Sequence, residues 1–461
     1  MKTETCKLLV LGAGPGGYVC AIRAAQLSVD TVVVEAEKPG GTCLNVGCIP
    51  SKALIHAADE FTRARSFEGE NELGIRGSAP TIDLARTVAW KDGIVKRLTG
   101  GVAGLIGKAG ARYVNGFATI VDGKTVRIEM DGEPVLIRAE NVVVATGSKP
   151  LELPFLPFGG KVISSTQALS LPEVPGRLVV VGAGYIGLEI GMAMAKLGSA
   201  VTFVEAGPRI LPQYDEELTR PVRKRMAELG ITLHLSARAQ GLDADDDRLV
   251  VDTPDGKIEL AADTILVAVG RAPASVGFGL ESLGLGMDGP FVAIDDRCAT
   301  TMRGVFAIGD VTGDPMLAHR AMAQGSLVAE IVAGQDRCWD KRAIPAVCFT
   351  DPELVVVGQL PVTDGAGNAK TAAFPFQANG RAMTMERAGG FVRVVFDPRT
   401  ELVLGIQAVG AGVAEMAGQF AMALEMAATL TDIAETIHAH PTLGETVQEA
   451  ALKGLGRALH A

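Results

Sequence analysis

The sequence is poor in cysteine, in excess positive charge and in long apolar runs, and each shortage excludes a class of protein. Seven cysteines in 461 residues are too few for a disulfide scaffold, and the odd number leaves at least one thiol unpaired. This usage is typical of a reducing compartment, so we expect a cytoplasmic protein. Lys and Arg number 43 against 53 Asp and Glu, which gives a net charge of −10 and disfavours binding to nucleic-acid phosphates.

Membrane insertion and export are disfavoured for a similar reason. No stretch approaches the roughly 18 uninterrupted apolar residues that span a bilayer; the uncharged run 402–414 has 13 residues and three glycines. Residues 1–10 include Lys2, Glu4 and Lys7, so they lack the apolar core of a signal peptide. We therefore expect a soluble protein that binds neither membrane nor nucleic acid.

Glycine, in contrast, is abundant. The 56 glycines are about 12% of the chain, where proteins average about 7%, whereas the 23 prolines are an ordinary share. An excess of glycine without proline indicates tight turns between strands and helices rather than a flexible linker. At about 150 residues per domain, the length predicts about three domains.

The glycines belong to a motif that occurs twice. Two short apolar runs, 7–10 and 178–181, are each followed by a glycine loop, then by a segment compatible with a helix, and then by a second apolar run that ends in an acid. The glycines of the loops are Gly12, Gly14 and Gly17 in the first copy and Gly182, Gly184 and Gly187 in the second. Glu35 follows Gly12 by 23 residues, and Glu205 follows Gly182 by the same 23 residues.

This is the pattern of a dinucleotide-binding loop in its strand–loop–helix–strand context. The first glycine permits the turn, the second lets the backbone approach a pyrophosphate, and the third lets the helix pack on the strand. The terminal acid accepts a hydrogen bond from a ribose hydroxyl. Two copies of the motif, with the same 23-residue spacing from first glycine to acid, predict two nucleotide sites.

Other apolar runs predict how these units are organised. Runs 142–147 and 265–270 each end in a glycine, and run 305–310 ends in Asp310. Beyond about residue 342, strand-like runs 391–396 and 402–409 precede a Met- and Ala-rich helical stretch, 414–428, which is typical of an α+β domain. The predicted architecture is α/β, with a first nucleotide domain in two parts (1–148 and 271–341), a second nucleotide domain between them (149–270), and a C-terminal α+β domain (342–461).

Two cysteines, Cys43 and Cys48, follow the first unit closely. In an extended chain they would be roughly 17 Å apart, whereas a disulfide needs Cα atoms about 4.4–6.8 Å apart, so they can meet only if the chain curls, and Gly47 could relieve such a curl. They could instead be two buried thiols or half of a zinc site, although zinc needs two more clustered ligands. A redox pair beside a nucleotide site is the favoured interpretation. The remaining cysteines, Cys6, Cys20, Cys298, Cys338 and Cys348, are interpreted as small core thiols.

The segment Gly41-Thr42-Cys43 through Cys48-Ile49-Pro50-Ser51-Lys52, the two fingerprints, the Gly309-Asp310 strand and His440-Pro441-Thr442 together resemble the flavin disulfide reductases, and within them the dihydrolipoamide dehydrogenases. The resemblance covers essentially the entire chain. It implies FAD at the first fingerprint, NAD at the second, a reducible Cys43–Cys48 disulfide on one flavin face, and a C-terminal domain that forms a homodimer.

The resemblance also implies roles for individual residues. Cys43 resembles the thiol that exchanges with substrate, Cys48 the sulfur that contacts the flavin, and Lys52 the lysine that pairs with a glutamate, here Glu189. The FAD contacts implied are Gly12, Gly14, Gly17, Glu35, Thr42, Lys52, Gly116, Asp310 and Ala318. Those to NAD are Gly182, Gly184, Tyr185, Gly187, Glu205 and Gly270, with Tyr185 covering the nicotinamide pocket.

His440 is a candidate base. A histidine before proline near a C-terminus is more often a surface residue, but a dithiol substrate must lose protons, and histidine titrates nearest working pH. Glu445, five residues on, could orient the imidazole. The match to the family pattern His-Pro-Thr-x-x-Glu favours catalysis and implies that the base comes from the partner subunit. His438 is interpreted as structural.

The choice within the family depends on residues outside the cysteine segment. The carboxylate of Glu205 would repel the 2′-phosphate of NADP, so NAD is favoured. The last cysteine is Cys348, whereas mercuric reductase and the large thioredoxin reductases carry a further pair near the C-terminus. Soluble transhydrogenases lack the first cysteine of the pair, which is present in this chain as Cys43. Segments 346–353 and 448–452 look most like the variant of branched-chain 2-oxo acid dehydrogenase complexes, whose partner is the lipoyl domain of an acyltransferase core. A non-catalytic assembly subunit and a disulfide-independent NADH oxidase or transhydrogenase are the alternatives.

Overall fold

The computed structural model describes residues 2–130, 132–245, 247–361 and 368–460. Each copy of the repeated motif forms a parallel strand, a glycine loop, a helix and a second parallel strand. The first strands of both copies are buried Leu and Val runs, because a parallel sheet is covered by helices on both faces. Among the described residues, no helix combines the length and the hydrophobicity of a membrane span.

The first unit builds a sheet with the strand order β3-β2-β1-β6-β5-β4. Strands β1, β2, β3 and β6 are parallel, and β4 to β6 form an antiparallel meander. The elements are β1 (Lys2–Leu11), α1 (Pro15–Gln26), β2 (Thr31–Glu35), α2 (Gly41–Val46), α3 (Cys48–Arg65), α4 (Leu84–Ala109), β3 (Arg112–Asn115), β4 (Phe117–Asp122), β5 (Thr125–Glu129), β6 (Val135–Val144) and β7 (Ser148–Pro150).

The second unit builds a separate parallel sheet with the order β11-β10-β9-β15-β8. An antiparallel meander, β12-β13-β14, lies beside it as a sheet of its own. The elements are β8 (Val162–Ile163), α5 (Ser165–Ala168), β9 (Arg177–Val181), α6 (Tyr185–Lys196), β10 (Ala200–Val204), α7 (Glu216–Glu228), β11 (Thr232–His234), β12 (Arg238–Leu242), β13 (Arg248–Thr253), β14 (Gly256–Ala261) and β15 (Thr264–Val267).

The chain then returns to the first sheet. Strand β19 pairs in parallel with β6, although the entire second unit separates them in sequence. Strand β16 pairs with β7, so the segments that leave the two late strands β6 and β15 form one short ribbon. The elements of this return are β16 (Arg271–Pro273), β17 (Met287–Asp288), β18 (Phe291–Val292), β19 (Val305–Ala307) and α8 (Ala318–Val332), with 3-10 turns at Leu280–Leu283 and Gly309–Thr312.

The C-terminal region is an antiparallel sheet, β20-β21-β24-β23-β22, with helices packed against it. The predicted helix 414–428 is shorter than expected, because a 3-10 turn at Val413–Met416 precedes it and a residue of positive φ, Ala427, ends it. The elements are β20 (Ala346–Cys348), β21 (Glu353–Gly358), β22 (Lys370–Pro375), α9 (Gly380–Thr384), β23 (Phe391–Phe396), β24 (Val403–Gly410), α10 (Ala417–Glu425), α11 (Leu430–Glu435) and α12 (Glu445–Gly454), with a 3-10 turn at Phe376–Ala378.

Candidate active site

A cavity of about 690 Å³ opens beside the first glycine loop. Its wall combines that loop, the cysteine segment, the start of α6 and the segment that follows β19. Most of the predicted flavin-site and redox residues line it together with Tyr185, a predicted NAD contact: Gly12, Gly14, Glu35, Thr42, Cys43, Cys48, Lys52, Gly116, Glu189, Asp310 and Ala318.

The first glycine loop fits a dinucleotide. Gly12 has φ +100°, and a Cβ there would lie 2.4 Å from the Ala145 carbonyl oxygen. A Cβ on Gly17 would lie 1.9 Å from the Gly12 carbonyl oxygen, so these two glycines serve the turn and the helix packing. Gly14 faces the cavity, and the nearest atom to its Cβ position is 3.9 Å away. Since α1 begins with no side-chain cap, its free N–H groups point where phosphate would bind.

Glu35 lies at the end of β2 and ties the loop together. Its Oε2 accepts a hydrogen bond from the Ala13 N–H at 2.8 Å, and its Oε1 accepts one from the Glu37 N–H at 3.0 Å. The carboxylate therefore stands at the cavity edge, where a ribose hydroxyl could share it. Gly116 lines the same edge, and a Cβ there would lie 2.5 Å from the Glu129 carbonyl oxygen.

The second glycine loop repeats this geometry. Gly182 has φ +101°, and its Cβ position is 2.6 Å from the Ala268 carbonyl oxygen. A Cβ on Gly187 would lie 2.3 Å from the Gly182 carbonyl oxygen, whereas Gly184 has no atom within 4 Å of its Cβ position. This loop therefore also fits a dinucleotide phosphate. Glu205 accepts hydrogen bonds from the Ala183 N–H and the Gly207 N–H, both at 2.7 Å.

The two redox-candidate cysteines lie on consecutive helices. Cys43 is within α2, and Cys48 is the first residue of α3. The break between them is at Gly47, where a Cβ would lie 2.9 Å from the Thr42 carbonyl oxygen, so the proposed relief point is where the chain bends. The structure holds the pair as two free thiols, with Cys48 exposed to the cavity and Cys43 half-buried.

The pair is electrically asymmetric. A hydrogen bond from the Cys43 thiol lowers the pKa of Cys48, burial opposes this, and the Lys52 ammonium lowers the pKa of Cys48 further. The same hydrogen bond, together with burial, raises the pKa of Cys43. The start of a helix also favours a thiolate at Cys48. In the reduced pair, therefore, Cys48 is the thiol that ionises first.

Lys52 is held in place from two directions. Its Nζ is 2.8 Å from Glu189 Oε2, and it lies 4.3 Å from the centre of the Phe349 ring. Glu189 Oε1 accepts a hydrogen bond from the Phe349 N–H at 3.0 Å. Sequence reasoning missed Phe349, because nothing in its local pattern indicates that β20 ends beside α3.

A chain of polar side chains forms another part of the cavity wall. Ser148 Oγ donates to Asp310 Oδ2 at 2.5 Å, and Arg271 Nε donates to Ser148 Oγ at 2.7 Å. Arg271 Nη2 also reaches Thr42 Oγ1 at 3.4 Å. Ser148 and Arg271 were missed, yet a signal existed, since each directly follows the glycine that ends one of the apolar runs 142–147 and 265–270.

Of three further residues predicted for the site, two line the cavity and one does not. Ala318 is the first residue of α8 and lines the cavity. Gly270 has φ +141° and precedes Arg271, but it does not line the cavity. Tyr185, the first residue of α6, lines the cavity from the second unit, and burial of its hydroxyl raises its pKa to about 12.

His440 and Glu445 form a dyad away from this cavity. His440 Nδ1 lies 2.6 Å from Glu445 Oε1, and Glu445 Oε2 accepts a hydrogen bond from the Thr442 N–H at 2.7 Å. The imidazole side chain is 80% exposed, and neither residue is among those that line the cavity of the same chain. His438 contacts the Thr436 carbonyl oxygen at 2.8 Å and the Gln419 side chain at 3.2 Å. One subunit alone does not unite His440 with the cysteines.

The other cysteines differ from one another. Cys6, Cys20, Cys298 and Cys348 are buried, and burial raises the pKa of each. The interpretation of Cys338 as a core thiol is wrong, because its segment follows α8 across the surface and leaves it exposed. Over the described ranges of the chain, no group of three or more His, Cys, Asp or Glu side chains is placed to hold a metal.

Comparisons with known proteins agree with this geometry. Residues 6–325 match the pyridine nucleotide-disulphide oxidoreductase model, and residues 344–451 match the dimerisation domain of that family. A dihydrolipoyl dehydrogenase of Pseudomonas aeruginosa is 58% identical over 98% of both chains. Enzymes of the same name from Haloferax volcanii and Geobacillus stearothermophilus are 46% and 42% identical, over 98% and 100% of this chain and 97% and 98% of theirs.

Two solved structures share the fold. LpdA of Mycobacterium tuberculosis superposes with a TM-score of 0.88 at 27% identity, over 98% of this chain and 99% of that one. The flavoprotein disulfide reductase RclA of Escherichia coli does so with a TM-score of 0.85 at 23% identity, over 96% and 99%. The chain therefore belongs to the pyridine nucleotide-disulphide oxidoreductase family, and its full-length relatives place it among the dihydrolipoyl dehydrogenases of that family. The predicted fold class, enzyme class and use of FAD and NAD are confirmed.

Proposed function

We propose that the protein oxidises protein-bound dihydrolipoamide to lipoamide and passes the electrons to NAD⁺ through a Cys43–Cys48 disulfide. The observation that carries this proposal is the placement of both cysteines in the cavity beside the first glycine loop. The Lys52–Glu189 pair also lines this cavity, Lys52 from α3 and Glu189 from α6. FAD, when bound here, supplies a two-electron acceptor that links the thiols to NAD⁺.

The cysteines carry out a thiol–disulfide exchange. In the oxidised enzyme, one thiolate of the substrate attacks Cys43, forms a mixed disulfide and releases Cys48 as a thiolate. The second substrate thiol loses its proton and attacks the substrate sulfur bound to Cys43, which closes lipoamide and leaves Cys43 reduced. The low pKa of Cys48 and the high pKa of Cys43 favour this order, because the better leaving thiolate is Cys48.

His440 is proposed as the base that takes the substrate proton. Glu445 fixes the imidazole at Nδ1, so Nε2 is free to accept a proton from the dithiol. The exposed dyad lies outside the cavity of its own chain, and the family's dimerisation domain matches residues 344–451. A homodimer in which His440 enters the site of the partner subunit reconciles these observations.

The remaining site assignments are proposals of the same kind. We assign residues 1–148 and 271–341 to the FAD domain, 149–270 to the NAD domain and 342–461 to the dimerisation domain. FAD is held by Gly12, Gly14, Gly17, Glu35, Thr42, Lys52, Gly116, Asp310 and Ala318, and NAD by Gly182, Gly184, Tyr185, Gly187, Glu205 and Gly270. Cavity lining, close backbone approach and the helix starts of α1 and α6 support these assignments.

The test is an assay of NAD⁺-dependent dihydrolipoamide oxidation with Cys43→Ser. The variant is expected to lose this activity, because no sulfur remains to form the mixed disulfide. Cys338→Ser, which removes an exposed thiol outside the cavity, is the matched control and is expected to keep full activity. Full activity in Cys43→Ser contradicts the mechanism, and an inactive wild type favours an assembly subunit without catalysis.

The physiological partner is proposed to be the lipoyl domain of an acyltransferase core in a branched-chain 2-oxo acid dehydrogenase complex of the cytoplasm. The resemblance of segments 346–353 and 448–452 to that variant supports this choice. Co-sedimentation with purified branched-chain, pyruvate and 2-oxoglutarate acyltransferase cores tests it. Equal or preferred binding to another core contradicts the branched-chain assignment and leaves the redox chemistry intact.

A further inference from the structure

Two ion pairs join the cysteine-bearing helix α3 to the second-unit helix α6. Lys52 Nζ lies 2.8 Å from Glu189 Oε2, and seven residues further along each helix, Lys196 Nζ lies 2.5 Å from Asp59 Oδ1. Seven residues are about two helical turns, so both pairs lie on one face of each helix. The pairs therefore act as two rungs between the helices.

The rungs have opposite polarity, which fixes the register of the helices. The cation of the first rung is Lys52 on α3, whereas the cation of the second is Lys196 on α6. Sliding one helix by two turns would place Lys52 opposite Lys196, or Asp59 opposite Glu189, and like charges repel. Only the observed register satisfies both rungs.

One segment of the C-terminal region contacts both rungs. The Phe349 N–H donates to Glu189 Oε1 at 3.0 Å, and Asp351 Oδ2 lies 2.9 Å from Lys196 Nζ. Asp351 also binds the guanidinium groups of Arg225 at 2.9 Å and Arg387 at 2.6 Å. The second rung is therefore anchored outside the two helices that it joins.

Burial makes this anchor rigid. The Lys196 side chain is 5% exposed and that of Asp351 is 9% exposed, while the outer partner Asp59 is 46% exposed. A buried ammonium cannot leave its carboxylates for water without a large desolvation cost. The position of α6 against α3 is consequently set at Lys196.

We propose that Lys196 is a positioning residue that sets the distance from the Lys52 ammonium to the Cys48 sulfur. The proposal rests on the proposed function, in which Cys48 is a redox thiol. Lys52 and Cys48 are four residues apart on α3 and so lie on one face, but the Lys52 ammonium is held by Glu189 of α6. Because Cys48 is the first residue of α3, a shift of α6 towards the C-terminal end of α3 draws the ammonium away from the sulfur.

The direction in which the pKa of Cys48 changes distinguishes a change in the position of Lys52 from the simple removal of the charge on Asp59. The titratable groups that face the Cys48 sulfur are Cys43, Lys52, Glu189 and Tyr185. Asp59 is eleven residues further along α3, about 16 Å away at 1.5 Å per residue. Neutralising it would lower the pKa of Cys48 through space, whereas a retreat of Lys52 raises that pKa.

The experiment measures the pKa of Cys48 in the FAD-loaded Cys43→Ser protein from the pH dependence of the long-wavelength thiolate–flavin absorption. Asp59→Asn, added to this background, leaves Lys196 paired with Asp351 and is expected to raise the midpoint. The rise is about 0.4 pH unit if the ammonium retreats from about 5 to about 6 Å at an effective dielectric constant of about 20. Lys196→Met is expected to raise the midpoint further than Asp59→Asn does. Lys196→Arg, which keeps the positive charge, is expected to leave the midpoint at the value of the Cys43→Ser background.

Glu217→Gln is the matched control. Glu217 is 55% exposed and is the outer of two acids on a buried cation, Arg393, which keeps Asp215 at 2.6 Å. This pair also links the second unit to the C-terminal sheet but does not touch α3, so no rise is expected. An unchanged or lowered midpoint in Asp59→Asn, or an equal rise in Glu217→Gln, overturns the positioning role. Absence of the absorption at every pH in the Cys43→Ser background instead overturns the proposed role of Cys48 and, with it, this inference.

Discussion

The two dinucleotide units of this chain share one local geometry and differ in what surrounds it. Gly12 and Gly182 have φ of +100° and +101°, and the two terminal acids accept equivalent backbone hydrogen bonds. Only the first loop faces the cavity of about 690 Å³ that contains both cysteines. The glycine motif therefore determines how a phosphate is held, and the neighbouring segments determine which chemistry takes place.

The late strands show how this difference arises. In the first sheet, the strand that pairs with β6 is β19, which follows the entire second unit in sequence. In the second sheet, the strand that pairs with β15 is β8, which precedes the second glycine loop in sequence. The return of the chain to the first sheet brings Asp310 and Ala318 to the cavity, whereas Gly182 and Gly184 of the second loop do not line it. The same motif therefore stands in two different surroundings.

The largest expected effect is the complete loss of one cofactor, and the altered glycine loop decides which cofactor is lost. A valine at Gly14 or Gly184 meets no protein atom closer than 3.9 Å at Cβ, and neither glycine has positive φ, so the fold should tolerate both. Gly14→Val is expected to purify without flavin absorbance. Gly184→Val is expected to keep flavin and lose NAD⁺ binding by calorimetry. Loss of the same cofactor in both variants would break the comparison.

A smaller effect separates the thiol half of the reaction from the nucleotide half. His440→Gln is expected to slow dihydrolipoamide oxidation by about 10²–10⁴-fold, the usual contribution of a general base, while NADH-driven reduction of an artificial dye continues. His438→Gln is the control and is expected to change neither rate.

Mixed dimers sharpen the result for His440. If the base crosses the interface, a dimer of one His440→Gln subunit and one Cys43→Ser subunit regains one of its two sites. Inactivity of isolated mixed dimers, with both parent homodimers folded, would place the base within its own subunit.

The smallest expected effect concerns the terminal acids. Glu205→Ala should narrow the preference for NAD over NADP by about tenfold, which corresponds to about 1.4 kcal/mol, because the carboxylate that repels the 2′-phosphate is removed. Glu35→Ala, its counterpart in the first unit, should weaken FAD retention and leave that preference unchanged. An unaltered ratio of kcat/KM for the two nucleotides in Glu205→Ala would move the discrimination to another residue.

The sequence predicted local geometry better than long-range contacts. The turns of the glycine loops follow from the backbone sterics of their residues, and so does the bend at Gly47 that lets Cys43 and Cys48 approach each other. Ser148 and Arg271, which line the cavity, and Phe349, which contacts Lys52, were missed, because each takes its place through a tertiary contact between segments more than 100 residues apart. Exposure of Cys338 could not be predicted either, since burial depends on how the segment after α8 crosses the surface.

The position of His440 shows the same limit at a larger scale. Its partner Glu445 is local and was predicted, and the two lie 2.6 Å apart. In the proposed homodimer its relation to the cysteines depends on packing between subunits, which no spacing within one chain encodes.

The central claim is that Cys48, in the site of the first unit, is the thiolate that faces the flavin. The most direct measurement is the visible spectrum of the FAD-loaded protein after anaerobic addition of one equivalent of dihydrolipoamide. The wild type is predicted to develop a long-wavelength absorption band, and Cys48→Ser is predicted to lack it. A band that persists in Cys48→Ser contradicts the claim.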